Sequence, residues 1–220
     1  MMASTSNTLQ NPFVGLRPYN SEESIYFFGR GEQTKRLLGL LHAHHFVAVV
    51  GSSGSGKSSL VRAGLIPQLE AGFLVQDRDR WQIAIMKPGE APLQNLVRCL
   101  ADSVGRQLSA DDAAAWLDQI QEFGAQALLE LLAPLQASKD TNVLLLVDQF
   151  EELFRFALER DDHRYLEQAQ AFVGLLLRLS EQRQLPVFVC LTMRSDFLGD
   201  CDAFYGLPEA INRSQFLVPR

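Results

Sequence analysis

The chain has 220 residues, with 47% apolar and 21% charged side chains and a formal net charge of −6 at pH 7. This composition is ordinary for a soluble globular chain with a sizeable core, and the acidic balance disfavours a protein that binds nucleic acid through a broad basic surface. No apolar run approaches the roughly 18 to 20 residues that cross a bilayer. Residues 1–10 are polar and lack a signal-peptide core. We therefore expect a cytoplasmic protein with neither a membrane nor a nucleic acid as its partner.

Predicted strands alternate with predicted helices along the chain. Apolar runs typical of β-strands lie at Phe46–Val50, Trp81–Met86, Val143–Val147, Val187–Thr192 and Gln215–Val218. Helical periodicity predicts helices at Glu32–Ala43, Lys57–Leu65, Pro92–Leu108, Ala113–Gln121, Ala125–Ala137 and Arg164–Gln182. Pro67 is expected to end the second helix. The alternation predicts an α/β fold of three layers, in which helices cover both faces of a parallel sheet.

A phosphate-binding pattern follows the first predicted strand. The segment Gly51–Ser58 matches G-x-x-x-x-G-K-[ST], in which glycines let successive N–H groups point inward toward a polyphosphate. The helix that follows adds the positive end of its dipole. Lys57 is expected to reach the β- and γ-phosphates, and Ser58 to ligate magnesium. The residues predicted to bind nucleotide are Ser52, Ser53, Gly54, Ser55, Gly56, Lys57, Ser58 and Ser59. The alternative is a plain Gly/Ser turn.

Acidic residues follow the third apolar run, in the sequence Leu144-Leu-Leu-Val-Asp148-Gln-Phe-Glu151-Glu152. In this Walker B pattern Asp148 at the strand tip is expected to orient magnesium through its water shell. A carboxylate a few residues later can orient the attacking water or accept its proton. Glu151 and Glu152 are both candidates for that role, and the sequence does not choose between them. The alternative is an acidic helix N-terminus that complements the helix dipole.

A further buried strand ends in polar residues, in the sequence Val187-Phe-Val-Cys-Leu-Thr192-Met193-Arg194. Because ligands of open α/β sheets bind at the carboxyl ends of the strands, Arg194 is expected to sense the γ-phosphate. The alternative is an arginine that only pairs with Asp196 or Asp200.

Taken together, these motifs resemble those of STAND-class NTPases, the signal-transduction branch of the AAA-like P-loop ATPases, and most closely the group called novel STAND NTPases. The segments that carry the resemblance are Asn11-Pro-Phe-Val-Gly-Leu-Arg-Pro-Tyr19, Phe27-Phe-Gly-Arg30, the loop from Gly51 to Ser59, Asp148-Gln-Phe-Glu-Glu152-Leu-Phe, and Thr192-Met-Arg-Ser-Asp-Phe197. The resemblance implies that Gly29 and Arg30 line the adenine and ribose side of the nucleotide and that Arg194 is the sensor-one residue. It also implies the strand order 5-1-4-3-2, with the Arg194 strand between the P-loop and Walker B strands.

The resemblance divides the chain into an N-terminal segment, residues 1–25, and an NTPase core, residues 26–220. It implies a signalling switch that binds ATP or ADP with Mg²⁺ and hydrolyses ATP slowly. Expected partners are other domains of a longer parent chain, such as a winged helix and sensor repeats, and further copies of the chain on activation. Three alternatives stay open: a nucleotide-dependent scaffold without turnover, a P-loop kinase that phosphorylates a small acceptor, and a DNA-remodelling ATPase, which the acidic balance disfavours.

Overall fold

A five-stranded parallel sheet forms the centre of the fold. The structure, a computed structural model, describes residues 15, 17–72, 78, 80–138, 140–160, 163–183 and 185–219. The strands are β1 Phe46–Gly51, β2 Arg80–Met86, β3 Thr141–Val147, β4 Val187–Arg194 and β5 Gln215–Leu217. Their order is β2-β3-β4-β1-β5, and all neighbouring pairs are parallel. The predicted order 5-1-4-3-2 is therefore confirmed. Most of the motif Asn11–Tyr19 lies outside the described residues.

Helices connect the strands. The α-helices are α1 Gly31–His44, α2 Lys57–Ser59, α3 Ile66–Glu70, α4 Pro92–Ser103, α5 Ala110–Phe123, α6 Ala125–Leu131, α7 Ala133–Ser138, α8 Glu152–Arg160, α9 His163–Ser180 and α10 Leu207–Arg213. Short 3₁₀ helices cover Ser21–Tyr26, Ser195–Phe197 and Gly199–Ala203.

The sheet is buried on both faces, which accounts for its nearly continuous apolar strands. All seven residues of β3 are buried. Alternate side chains of the strands enter two separate cores: one packs against α4, α6, α9 and α10, and the other against α1 and the helical residues that follow the P-loop. The predicted three-layered arrangement is therefore confirmed.

The helix that follows the P-loop continues past Pro67, contrary to the prediction. It consists of α2, a π-helical segment at Leu60–Leu65, and α3, which ends at Glu70. The π turn changes the hydrogen-bond register, so Pro67 falls in the first turn of α3. In this register the carbonyl oxygen of Arg62, five residues before Pro67, accepts a hydrogen bond from the Ser21 hydroxyl, so it does not need the N–H group that proline lacks.

Other helix boundaries also differ from the prediction. Helix α4 ends at Ser103 rather than Leu108, because Gly105 at a φ of 72° lets the N–H groups of residues 105 and 106 close onto the last carbonyls of the helix. The predicted helix Ala125–Ala137 is interrupted at Leu132, two residues before Pro134. The short helices α8 and α10 were not predicted.

Candidate functional site

The three sequence motifs meet at one edge of the sheet. Strand β4 lies between β1 and β3, and its residue Arg194 is in register with Gly51, the last residue of β1. Asp148 directly follows β3. Because the strands are parallel, the P-loop, Asp148 and Arg194 leave the sheet at the same edge, where ligands of open α/β sheets bind.

A cavity of about 520 Å³ lies at this edge. Its lining residues are Ser53, Gly54, Gly56, Lys57, Ser58, Ser59, Gln149, Glu151, Thr192 and Arg194, together with Gly15, Arg17, Pro18 and Tyr19. Two larger cavities, of about 940 and 920 Å³, contain none of the predicted site residues in their walls. The chemistry of the lining therefore favours the smaller cavity as the site.

The P-loop has the backbone conformation that its glycines permit. Gly54 and Gly56 have φ angles of 73° and 86°, a region that side chains with a Cβ rarely adopt. The Lys57 ammonium group donates hydrogen bonds to the carbonyl oxygens of Gly51 at 3.0 Å and Ser52 at 2.9 Å. Lys57 is also the first residue of α2. The loop thus places a cation and the first amides of a helix beside the cavity.

Asp148 is the centre of a hydrogen-bond network beneath the cavity. Its Oδ1 accepts hydrogen bonds from the hydroxyl groups of Ser58, at 2.7 Å, and Thr192. Its Oδ2 accepts a hydrogen bond from Nη2 of Arg62 at 3.0 Å. Burial acts to raise the pKa of Asp148, but the bonds from Thr192, Ser58 and Arg62 outweigh it, and the pKa lies below its ordinary value. The carboxylate is therefore held in its charged form.

The donor set at this point fits magnesium. The Ser58 hydroxyl and the Asp148 carboxylate are hard oxygen donors that lie within hydrogen-bond distance of each other. In the part of the chain that the structure describes, no cluster of three or more His, Cys, Asp or Glu side chains could hold a metal ion. Magnesium at nucleotide sites usually takes one or two protein oxygens and completes its shell with phosphate and water.

The two candidate glutamates occupy different environments. Glu151 lines the cavity, is buried, and among the described residues its Oε2 has no hydrogen-bond partner. Burial raises its pKa, against the opposing effects of two backbone amides and the charges of Lys57 and Arg194. Glu152 instead accepts a hydrogen bond from the backbone N–H of Gly89 at 3.0 Å. Of the two, only Glu151 faces the cavity.

Arg194 lines the cavity but is also paired. Its Nε donates to Oδ1 of Asp196 at 3.1 Å and its Nη2 donates to Oδ2, in a bidentate arrangement. The side chain is 43% exposed. The pairing that the sequence offered as the alternative is thus present, and the guanidinium still lies at the cavity wall.

Six predicted residues do not line this cavity: Asp148 and Glu152, described above, and Gly29, Arg30, Ser52 and Ser55. Gly29 and Arg30 precede α1, and Nη1 of Arg30 donates to the carbonyl oxygen of Pro219 at 3.5 Å. Ser52 contributes its carbonyl oxygen to Lys57 and to the N–H of Ser55. Within the described residues, the buried Ser55 hydroxyl has no hydrogen-bond partner. The adenine and ribose role of Gly29 and Arg30 therefore stays a prediction.

Two neighbours of Asp148 were not predicted as site residues. Thr192 was noted only as part of a motif, although its position at the end of a buried strand beside the P-loop strand could have indicated it. Arg62 lies four residues after Ser58, and residues at this spacing share one face of a helix. The spacing from Ser58 could therefore have indicated Arg62 as a site residue.

Tyr19 also contacts the P-loop helix, since its backbone N–H donates to the Ser59 hydroxyl at 3.2 Å.

No helix in the described part of the chain combines the length and apolar character that a bilayer crossing requires.

Solved structures share this fold. The ORC2 protein of Aeropyrum pernix, determined in ADPNP–ADP complexes, superimposes with a TM-score of 0.55 at 14% identity, over 88% of this chain and 48% of that one. A Walker-type ATPase of Pyrococcus abyssi gives a TM-score of 0.55 at 17% identity, over 93% of this chain and 56% of that one. The chain thus spans about half the length of these proteins. No curated protein matches it.

The family comparison covers most of the sequence. The profile of the family described as Novel STAND NTPase 1 matches residues 12–220, a range that includes the P-loop, Asp148 and Arg194. Together with the fold, this match identifies a P-loop NTPase-like, nucleotide-binding domain. The chain belongs to the novel STAND NTPase 1 family.

Proposed function

We propose that the domain binds ATP together with magnesium and hydrolyses the ATP slowly, as the nucleotide switch of a signalling protein. The observation that carries the proposal is the hydrogen bond of 2.7 Å between Ser58 and Asp148, beside a cavity that Lys57 lines. A Walker A hydroxyl and a Walker B carboxylate in contact form the protein part of a magnesium nucleotide site.

Each residue has a role in this proposal. Lys57 would exchange its bonds to Gly51 and Ser52 for the β- and γ-phosphates, because a charged acceptor binds an ammonium group more strongly than a carbonyl does. Ser58 and Asp148 would hold magnesium, which would neutralise charge on the phosphates.

Glu151 is proposed to orient the attacking water. It faces the cavity, and its raised pKa makes it a better proton acceptor than an ordinary carboxylate.

Slow turnover would follow from the state of Arg194, whose guanidinium is already paired with Asp196. Rapid hydrolysis would need that pair to open, or an arginine from a neighbouring copy.

The output is proposed to be conformational, with ADP-bound and ATP-bound states that other domains of a longer parent chain detect. The proposal rests here on the family, since family members are expected to couple nucleotide to further domains. A cytoplasmic location would suit this role.

The first experiment is calorimetric titration of ATP, ADP and GTP, each with and without magnesium, into the wild type and a Lys57→Ala variant. We expect the wild type to bind adenine nucleotides, and the variant to bind at least about thirtyfold more weakly because it loses charge-assisted hydrogen bonds. Lys35→Ala is the matched control, since Lys35 is 70% exposed on α1 and, among the described residues, pairs with Glu32 at the surface. Absence of binding, or equal binding by wild type and Lys57→Ala, would refute the proposed site.

Phosphate release then separates the remaining functions. Release of free phosphate without an added acceptor supports hydrolysis. Transfer of the phosphoryl group from ATP to an added small acceptor, without free phosphate, indicates a kinase, and tight binding with neither outcome indicates a scaffold. Stimulation of turnover by added DNA would indicate a remodelling ATPase.

A further inference from the structure

Arg62 contacts the carboxylate that is proposed to hold magnesium. The Arg62 side chain is 22% exposed and that of Asp148 4% exposed, and Nη2 of Arg62 lies 3.0 Å from Oδ2 of Asp148. Within the described residues, the buried Nε of Arg62 has no hydrogen-bond partner. The guanidinium is therefore directed at Asp148 and is not shared with another carboxylate in the described part of the chain.

The local helix geometry brings Arg62 to this position. Arg62 lies in the π-helical segment Leu60–Leu65, immediately after the P-loop and four residues beyond Ser58. Its carbonyl oxygen accepts a hydrogen bond from the Ser21 hydroxyl at 3.1 Å, which ties this turn to the N-terminal 3₁₀ helix. Interruptions of this kind inside α-helices are frequent at functional sites.

The charges around Asp148 balance without a metal ion. The described cations that interact here are Arg62, Lys57 and Arg194, and the described anions are Asp148, Glu151 and Asp196. Arg17, which also lines the cavity, is neutralised by its ion pair with Glu23. A divalent cation is attracted by an excess of negative charge, and a guanidinium on the same carboxylate removes part of that excess. Nucleotide phosphates would restore it.

We propose that Arg62 is an internal counter-ion of Asp148, which makes the metal site too weak to hold a divalent cation until a nucleotide is present. This inference deepens the proposed function, on which it rests for the identity of the metal site. Arg62 would act through Asp148 as a positioning residue and would not touch the nucleotide. In the metal-free protein it compensates a buried carboxylate, and in the loaded protein it shares that carboxylate with the cation.

The test measures binding of Mn²⁺ alone to the nucleotide-free protein, by the electron paramagnetic resonance signal of free Mn²⁺. Wild type should bind weakly, and Arg62→Met, which keeps an aliphatic stem without the charge, should bind at least about tenfold more tightly. Arg62→Lys, which keeps the charge, should stay within about threefold of wild type. Lys35→Met removes one charge from the exposed surface and should not change Mn²⁺ binding.

A double variant tests whether the gain in Mn²⁺ affinity arises from the pair of Arg62 and Asp148. Adding Asp148→Asn to Arg62→Met should abolish the tighter Mn²⁺ binding, because the carboxylate that gained free charge is then removed. Thermal unfolding with and without Mn²⁺ supplies a second measurement, in which Mn²⁺ should raise the Tm of Arg62→Met more than that of wild type. If Arg62→Met does not fold, Arg62→Gln, which keeps a hydrogen-bond donor toward Asp148, replaces it.

Equal or weaker Mn²⁺ binding by the folded neutral variants would overturn the inference, since a merely structural arginine would lower the Tm without raising metal affinity. The proposed function is tested separately by nucleotide titration of the wild type. If wild type binds magnesium ATP and Arg62→Met gains no Mn²⁺ affinity, the inference alone fails. If Arg62→Met gains affinity and wild type binds no nucleotide, the counter-ion role of Arg62 stands and the proposed function fails.

Discussion

The hydroxyl of Thr192 donates a hydrogen bond to Oδ1 of Asp148, and the same hydroxyl oxygen accepts the backbone N–H of Gln149 at 3.0 Å. Thr192 is 1% exposed. Gln149 has a φ of 58°, an uncommon conformation for a residue with a side chain. Thr192 therefore joins β4 to the turn after β3 and fixes both the Asp148 carboxylate and the strained residue that follows it.

Replacing Thr192 by valine should weaken this part of the site. Thr192→Val keeps the shape of the side chain and removes both hydrogen bonds, which should lower the free energy of unfolding by about 1–3 kcal/mol and weaken binding of magnesium nucleotide. Thr192→Ser keeps the hydroxyl and should retain most of the binding. Chemical denaturation and calorimetric titration measure the two effects, and equal losses in both variants would contradict the role of the hydroxyl.

Glutamine substitutions should distinguish the two glutamates. Glu151→Gln should lower ATP turnover by about 10²- to 10⁴-fold, the range expected for loss of a general base, with little change in nucleotide binding. Glu152→Gln should keep turnover near the wild-type rate, because an amide oxygen can still accept the hydrogen bond from Gly89. Phosphate release under saturating ATP measures both variants. If Glu152→Gln lost turnover and Glu151→Gln kept it, Glu152 would be the residue that orients the attacking water.

The same Glu151→Gln variant should be more stable than the wild type. Burial of Glu151 raises its pKa in the folded state, so folding disfavours its charged form. Removing that charge should raise the free energy of unfolding at pH 7 by about 1 kcal/mol, as often found when a functional site is neutralised.

The pH dependence of this gain has a defined sign. Because the folded pKa lies above the ordinary value, the wild type loses stability relative to Glu151→Gln as the pH rises from the unfolded pKa through the folded one. The difference should be smallest in acid and constant above the folded pKa. Denaturation curves of both proteins across this range measure it, and a difference that shrinks with rising pH would be inconsistent with a raised pKa.

Two helical glycines should respond in opposite ways to alanine. A Cβ on Gly64 would lie 2.7 Å from Oγ1 of Thr34 and 3.4 Å from a ring atom of Phe27, so Gly64→Ala should lower the free energy of unfolding by about 1–3 kcal/mol through overpacking. A Cβ on Gly39, which is exposed on α1, meets no described atom within 4 Å. Gly39→Ala should therefore raise the free energy of unfolding by about 0.5–1 kcal/mol.

Thermal or chemical denaturation measures the free energy of unfolding of the Gly64→Ala and Gly39→Ala variants. Stabilisation by Gly64→Ala would show that α1 and the helix after the P-loop do not pack as closely as the structure describes. The comparison also tests the site, because that helix carries Ser58 and Arg62.

The sequence by itself determined the sheet and the main site residues. Apolar runs without alternation predicted buried parallel strands, since a sheet covered on both faces has no polar side. The spacing of Gly51, Gly56, Lys57 and Ser58 predicted a phosphate loop, because this function depends on local backbone conformation and on the start of one helix. The strand order came from the family resemblance, which the structure confirms.

The tertiary structure decided what depends on contacts between distant segments. Glu151 and Glu152 are adjacent in sequence, and only the packing of the following helix turns one toward the cavity and the other toward Gly89. Pro67 does not end its helix, because the π-helical segment before it changes the hydrogen-bond register. Arg62 could be placed on the same helix face as Ser58 from spacing alone, but its pairing with Asp148, 86 positions away in the sequence, arises only when β3 and the P-loop helix meet at one edge of the sheet.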